Sequence, residues 1–100
     1  MGTIQRATIT ILVPTATSKW NVKLVFDKKI RGIKTRLGKN EACVENICTF
    51  ENKRDVPLEE GQDLKLVHRL GFEGAWPPQL ITLEFNGIKI CGFTSGKLRY

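Results

Sequence analysis

Cys43 and Cys48 flank the four residues Val44, Glu45, Asn46 and Ile47. If those four form a hairpin loop, the two thiols stand opposite each other and can be oxidised to a bridge. Cys91 is then left over, either free or awaiting a partner elsewhere. The other reading is three buried, reduced thiols in an intracellular protein. No Cys-x-x-Cys occurs, and the lone His68 cannot complete a zinc site. His68 shares the apolar side of its segment with Leu64, Leu66 and Leu70, where a histidine packs rather than catalyses. Glu59 and Glu60 are adjacent, and adjacent carboxylates do not face each other across a glycosidic bond. No glycine-rich phosphate loop or metal-ligand spacing is present. The expectation is a binding or structural module, not an enzyme, with no cofactor and no metal.

Charge offers a second chemistry. The chain carries a net charge of +6. Residues 19–39 hold Lys19, Lys23, Lys28, Lys29, Arg31, Lys34, Arg36 and Lys39 against Asp27 alone, and the remainder is nearly neutral. Such a cluster favours polyanionic sugars, nucleic acid or acidic proteins. The plainer alternative is a solvated face with no partner. Nucleic acid is the weaker reading, because aromatics are few and no recognised reading element occurs. No apolar run approaches the roughly 18 residues of a membrane span, so no membrane partner is expected. Trp76 lies in a Gly/Pro-rich stretch with Gly74, Pro77 and Pro78, where side chains tend to be exposed. It is either a binding anchor or a lid folded over the end of the domain.

The elements that position these groups read as strands. In Trp20–Asp27, Trp20, Val22, Leu24 and Phe26 fall on one side of an extended segment, opposite Asn21, Lys23 and Asp27. A period of two with aromatic and β-branched residues marks a half-buried strand. Further strands are expected over Ile4–Val13, Ile30–Leu37 (with Gly32 marking a bulge), Ala42–Phe50 (one or two short strands around Glu45-Asn46), Asp63–Leu70, Leu80–Phe85 and Ile88–Phe93. Asn86-Gly87 forms a hairpin turn, and Thr94–Tyr100 is a polar tail. Seven to eight short strands without a helix predict an all-β, antiparallel, immunoglobulin-like β-sandwich. One hundred residues make a single domain over 1–100. No charged-then-apolar leader is present. Met1-Gly2 reads as the start of an excised domain, which leaves room for a removed signal peptide.

From Trp20 onward the order of features resembles the family 2 carbohydrate-binding modules, particularly those of animal proteins. The resembling elements are Trp20-Asn-Val-Lys-Leu-Val-Phe26 with Ile30, Thr49-Phe50-Glu-Asn52, Pro57-Leu58-Glu-Glu-Gly61 and Leu70-Gly71-Phe72. Pro77-Pro78 with Leu80, and Asn86-Gly87 followed by Cys91, complete a match over about residues 19–91. The resemblance implies a secreted, extracellular β-sandwich that binds cellulose or chitin, with Trp20 in the core. It also implies a platform of exposed tryptophans, and here the chain departs from the pattern. One platform position falls near Lys34 and another at Arg54-Asp55, and the N-terminal cysteine that would pair with Cys91 is absent. Basic side chains favour carboxylate or sulfate groups over the flat faces of neutral sugars.

The expected function is therefore non-catalytic polysaccharide binding, to a neutral β-1,4-linked polymer or an anionic one. The expected ligand-binding residues are Trp76, Lys34, Arg36, Lys53 and Arg54, with Lys39 beside them. The two basic segments converge only if they neighbour each other in one sheet. The alternative is a protein-interaction or extracellular-matrix module that associates through the same fold.

Overall fold

A computed structural model of the chain describes residues 2–90 in full and residues 94–97 as backbone. The strands are β1 (Gly2–Leu12), β2 (Asn21–Phe26), β3 (Gly32–Thr35), β4 (Gly38–Val44), β5 (Ile47–Asn52), β6 (Asp63–Glu73), β7 (Leu80–Phe85), β8 (Ile88–Ile90) and β9 (Thr94–Lys97). They form two antiparallel sheets, in the orders β3-β6-β1-β9 and β4-β5-β2-β7-β8. The expected all-β sandwich is what the chain forms. Only the β4–β5 and β7–β8 connections stay within one sheet; every other connection passes to the opposite sheet.

Alternation builds the core. In β2, Val22, Leu24 and Phe26 are buried while Asn21, Lys23 and Val25 point outward. In β6, Leu64, Leu66, His68, Leu70 and Phe72 point inward, leaving Lys65, Val67, Arg69 and Gly71 on the outer side. The two inner faces meet in one hydrophobic cluster that includes Ile9, Ile11, Ile33, Phe50, Leu83 and Phe85, the arrangement of a sandwich with each sheet wet on its outer side. Trp20 is 5% exposed; it stacks on Phe85 with ring centroids 5.9 Å apart and meets Phe50 edge-on at 6.2 Å. It is a core residue, as expected. Phe72 is buried too.

Several local expectations change. The third strand is shorter than Ile30–Leu37, because Ile30 and Arg31 belong to a tight connection in which Arg31 N–H donates to the Gly71 carbonyl at 2.7 Å. Gly32 marks no bulge: it opens β3 in regular register with Gly71. The irregularities lie where β2 meets β7, between Val25 and Phe26, and in β4 between Lys39 and Ala42. Thr94–Lys97, expected as part of a tail, pairs with β1 through Ala7↔Lys97 to Thr10↔Thr94. Backbone pairing, not an apolar pattern, makes that strand. The expectations for Cys91 and Tyr100 lie outside the described residues.

The bridged reading of Cys43 and Cys48 holds. Val44 pairs with Ile47, so the expected four-residue loop tightens to a turn at Glu45-Asn46, with Glu45 at φ 56°. Cys43 and Cys48 then face each other with Cα atoms 4.1 Å apart and are disulfide-bonded. Asn86-Gly87 turns with φ 51° and 79°, two left-handed residues in succession as a tight hairpin requires.

Candidate functional site

The bridged turn anchors one end of the sandwich. Phe26 N–H donates to the Asn46 carbonyl at 2.9 Å, Asn46 Nδ2 donates to the Phe26 carbonyl at 2.9 Å, and Ile30 N–H donates to the Glu45 carbonyl at 2.9 Å. The segment so held, Asp27–Arg31, in turn holds the loop that carries Trp76. Lys28 Nζ donates to the carbonyls of Glu73 (2.7 Å) and Trp76 (2.8 Å), and Gln79 N–H donates to Asp27 Oδ1 at 2.8 Å. Trp76 is 82% exposed, which removes the folded-back lid. Its backbone is clamped while its ring faces solvent. Among the described residues it is the one exposed aromatic; Trp20, Phe26, Phe50, Phe72 and Phe85 are all buried.

Beside this end, the outer face of the first sheet has an unusual floor. Gly32 pairs with Gly71, and Gly71 pairs with Ile4, so one cross-strand row presents two glycines and an exposed isoleucine. A Cβ at Gly32 would meet nothing within 4 Å, so the row is a trough and not a packing requirement. The trough has a volume of about 470 Å³ and is walled by Thr3, Ile4, Arg31, Lys34 and Arg69. Thr3 Oγ1 donates to the Gly74 carbonyl at 3.1 Å, which joins the trough to the Trp76 loop.

The next row is cationic. Lys34 of β3 pairs with Arg69 of β6, and Arg69 pairs with Arg6 of β1. Residues in register across adjacent strands share a face at a strand spacing of about 4.8 Å. Lys34 and Arg69 are exposed and Arg6 is half-buried. On the far side of this row lies a second hollow of about 400 Å³, lined by the same cations together with Arg36 and Val67. Glu41 is the acid drawn toward this edge. Its Oε2 accepts from Thr35 N–H (2.9 Å) and Thr35 Oγ1 (3.1 Å). The backbone bond from Thr35 holds its carboxyl below the usual carboxylate range, with the Lys34 charge acting in the same direction and desolvation opposing both.

The structure therefore sorts the expected residues. Lys34 stands in the cationic row, Arg36 lines the hollow next to it, and Trp76 belongs to the trough end. Lys53 and Arg54 lie beyond β5 at the opposite end, where with Arg36 they surround a groove. Leu64 in that groove and Glu73 at the trough end are nine residues apart on β6, which a strand spans in about 30 Å. Lys39 does not converge with the others: it is on the second sheet, with Nζ 4.0 Å from Glu51 Oε1. The basic stretch 19–39 is likewise dispersed. Lys23 pairs with Glu84 at 3.8 Å, Arg31 pairs with Glu73 at 3.3 Å, and Lys28 is occupied by carbonyls.

Sequence reasoning missed Arg69 and Arg6, because both lie outside the basic stretch. The signal was present in β6, where Lys65 and Arg69 alternate with the inward Leu64, Leu66, His68 and Leu70. What was absent was the register that sets Arg69 between Lys34 and Arg6.

His68 is 3% exposed, with Nδ1 3.2 Å from the Leu66 carbonyl; that carbonyl accepts, so Nδ1 carries the proton. Burial pushes its imidazole below the usual histidine range, and the Leu66 bond acts the other way. Among the described residues no cluster of three or more His, Cys, Asp or Glu is placed to hold a metal ion, and no helix is long and apolar enough to cross a membrane. No protein-family model matches the chain, and no curated protein matches it.

Proposed function

We propose that the protein is a non-catalytic module that binds an anionic polysaccharide along the outer face of its first sheet, as a divergent relative of the family 2 carbohydrate-binding modules. The observation that carries this reading is the cationic row Lys34–Arg69–Arg6 laid beside the Gly32–Gly71 trough. The trough, open to the backbone, gives a sugar ring room to lie flat. Lys34 and Arg69 then stand where its carboxylate or sulfate groups project, Arg69 with the two-pronged geometry suited to such oxygens. Trp76, at the same end, offers a ring face to a neighbouring sugar. A lone exposed tryptophan among the described residues is a poor platform for a flat crystalline neutral polymer, and this favours the anionic choice over cellulose or chitin. The Cys43–Cys48 bridge is compatible with an extracellular setting.

The test is retention on a heparin gel beside insoluble cellulose and chitin, each at low and high salt. Salt-sensitive retention on heparin alone, lost in Lys34→Ala combined with Arg69→Ala, is the expected result. Salt-resistant retention on cellulose or chitin, lost in Trp76→Ala, would return the module to neutral polymers. No retention on any of them would remove the carbohydrate reading.

One observation favours the second reading, a self-associating interaction module. On the outer face of the second sheet, Val44, Ile47 and Val25 stand in one cross-strand row with Thr82, and Ile81 bulges out beside it. Val44 is 74% and Ile81 58% exposed, an apolar stripe of the kind that marks interaction surfaces. Sedimentation without any sugar, with Val44→Asp as the contrast, separates this reading from the first.

A further inference from the structure

The end of the sandwich remote from Trp76 holds a groove of about 470 Å³, within the size range of small-molecule sites. Its floor is apolar: Trp20, Leu58 and Leu64, each buried. Its walls are Leu37, 42% exposed, and Val56, 58% exposed. Its rim is cationic, with Arg36, Lys53 and Arg54.

One buried side chain ties the wall of the groove to its floor. Asn52 is 7% exposed. Its Oδ1 accepts from Trp20 N–H at 2.9 Å, and its Nδ2 lies 3.1 Å from the Ser18 carbonyl, 2.9 Å from the Arg54 carbonyl and 3.1 Å from Asp55 Oδ1. Its own N–H donates to the Trp20 carbonyl at 3.0 Å, and the adjacent Lys53 N–H donates to the Leu37 carbonyl at 2.8 Å. The wall that carries Arg54 and Val56 is thus fixed to the floor before any ligand arrives. Asp55, the acid of this loop, is turned onto Asn52 rather than onto the rim basic groups.

An apolar floor under three cations has a complement: a compact apolar body that carries a carboxylate or sulfonate. The geometry points to this groove as a site for an amphipathic organic anion, beyond the polysaccharide face, with Arg36 the one lining residue it shares with the hollow beside the cationic row. A neutral apolar ligand would leave the rim unused, and a hydrophilic sugar would leave Leu37 and Val56 uncovered. Fixed walls reduce the ordering cost of binding.

The probe is 8-anilinonaphthalene-1-sulfonate, whose emission rises on leaving water, with decanoate and decanol as competitors. Saturable one-to-one binding, displaced at least tenfold more effectively by decanoate than by decanol, is expected. Leu37→Asp and Val56→Asp alter exposed wall residues and should abolish the signal, Arg54→Ala should weaken it about tenfold, and Lys34→Ala combined with Arg69→Ala should leave it unchanged. Near-UV circular dichroism confirms that each variant is folded. Equal displacement by decanol, or an unchanged signal in folded Val56→Asp, would overturn the assignment. Because the combined Lys34→Ala and Arg69→Ala variant should lose heparin retention and keep probe binding, each site can fail without the other.

Discussion

Lys34 and Arg69 stand directly opposite each other on neighbouring strands, two like charges on one exposed face. Like charges in that position oppose pairing. Elsewhere the protein sets Lys23 against Glu84 and Lys39 against Glu51, so the arrangement is not a general habit of its surface. A polyanion laid across the row would relieve the repulsion, so the proposed binding and the stability of the pairing make separable predictions.

Arg69→Glu should separate the two. It places a carboxylate between Lys34 and Arg6 and should raise stability by roughly 0.2–1 kcal/mol, while heparin binding disappears. Chemical denaturation and heparin titration of the same variant check both halves.

Gly32→Val should fill the trough without harming the fold. A Cβ there meets nothing within 4 Å, and Gly32 has no left-handed φ to protect. A β-branched residue also suits a strand better than glycine. Stability should hold or rise, and polysaccharide affinity should fall about tenfold or more. Unchanged affinity in this variant would show that the sugar does not lie over the glycine row.

Reduction of the Cys43–Cys48 bridge should lower stability by about 2 kcal/mol, from the chain entropy released by so short a loop. Its sequence separation is 5. The loss should be accompanied by faster amide exchange at Ile30, whose N–H is held by the Glu45 carbonyl next to the bridge. Denaturant melts with and without reductant, and hydrogen exchange at that amide, measure the two effects.

His68 makes stability fall in mild acid. Its folded pKa lies below the ordinary value of 6.5, so the unfolded chain takes up a proton first as the pH drops. The contribution is complete above about pH 6.5 and declines from there as the pH falls toward the depressed folded value. Glu41 adds a second loss lower down: its folded pKa is below 4.5, so its contribution is present above that value and fades as the pH falls through the folded one. His68→Gln should flatten the first slope and leave the second in a series of melts between pH 3 and 8.

The strands were readable where one face is buried. Val22, Leu24 and Phe26 announce β2, and Leu64, Leu66 and Leu70 announce β6 as far as Leu70, because burial imposes a period of two; the strand in fact runs on to Glu73. Thr94–Lys97 was not, because a strand added at an edge is held by backbone hydrogen bonds and needs no apolar alternation. The proposed binding face was half legible. Lys34 and Arg36 stood out through local charge density, yet most of their sequence neighbours are paired elsewhere. Arg69 and Arg6 are 63 positions apart in the chain and adjacent in the sheet, and only strand order and register make them one surface. The Gly/Pro setting of Trp76 left an exposed anchor and a folded-back lid equally open, and its distance from Lys53 and Arg54 follows from which end of β6 each loop leaves.

The most direct test is titration with a heparin oligosaccharide at several salt concentrations, for the native protein and for Arg69→Glu. The native protein should bind with a logarithmic affinity that falls steadily with the logarithm of salt concentration, as counterions are released from paired charges, and the variant should not bind at any salt. Affinity in Arg69→Glu equal to that of the native protein, or no binding by the native protein even at low salt, would contradict it.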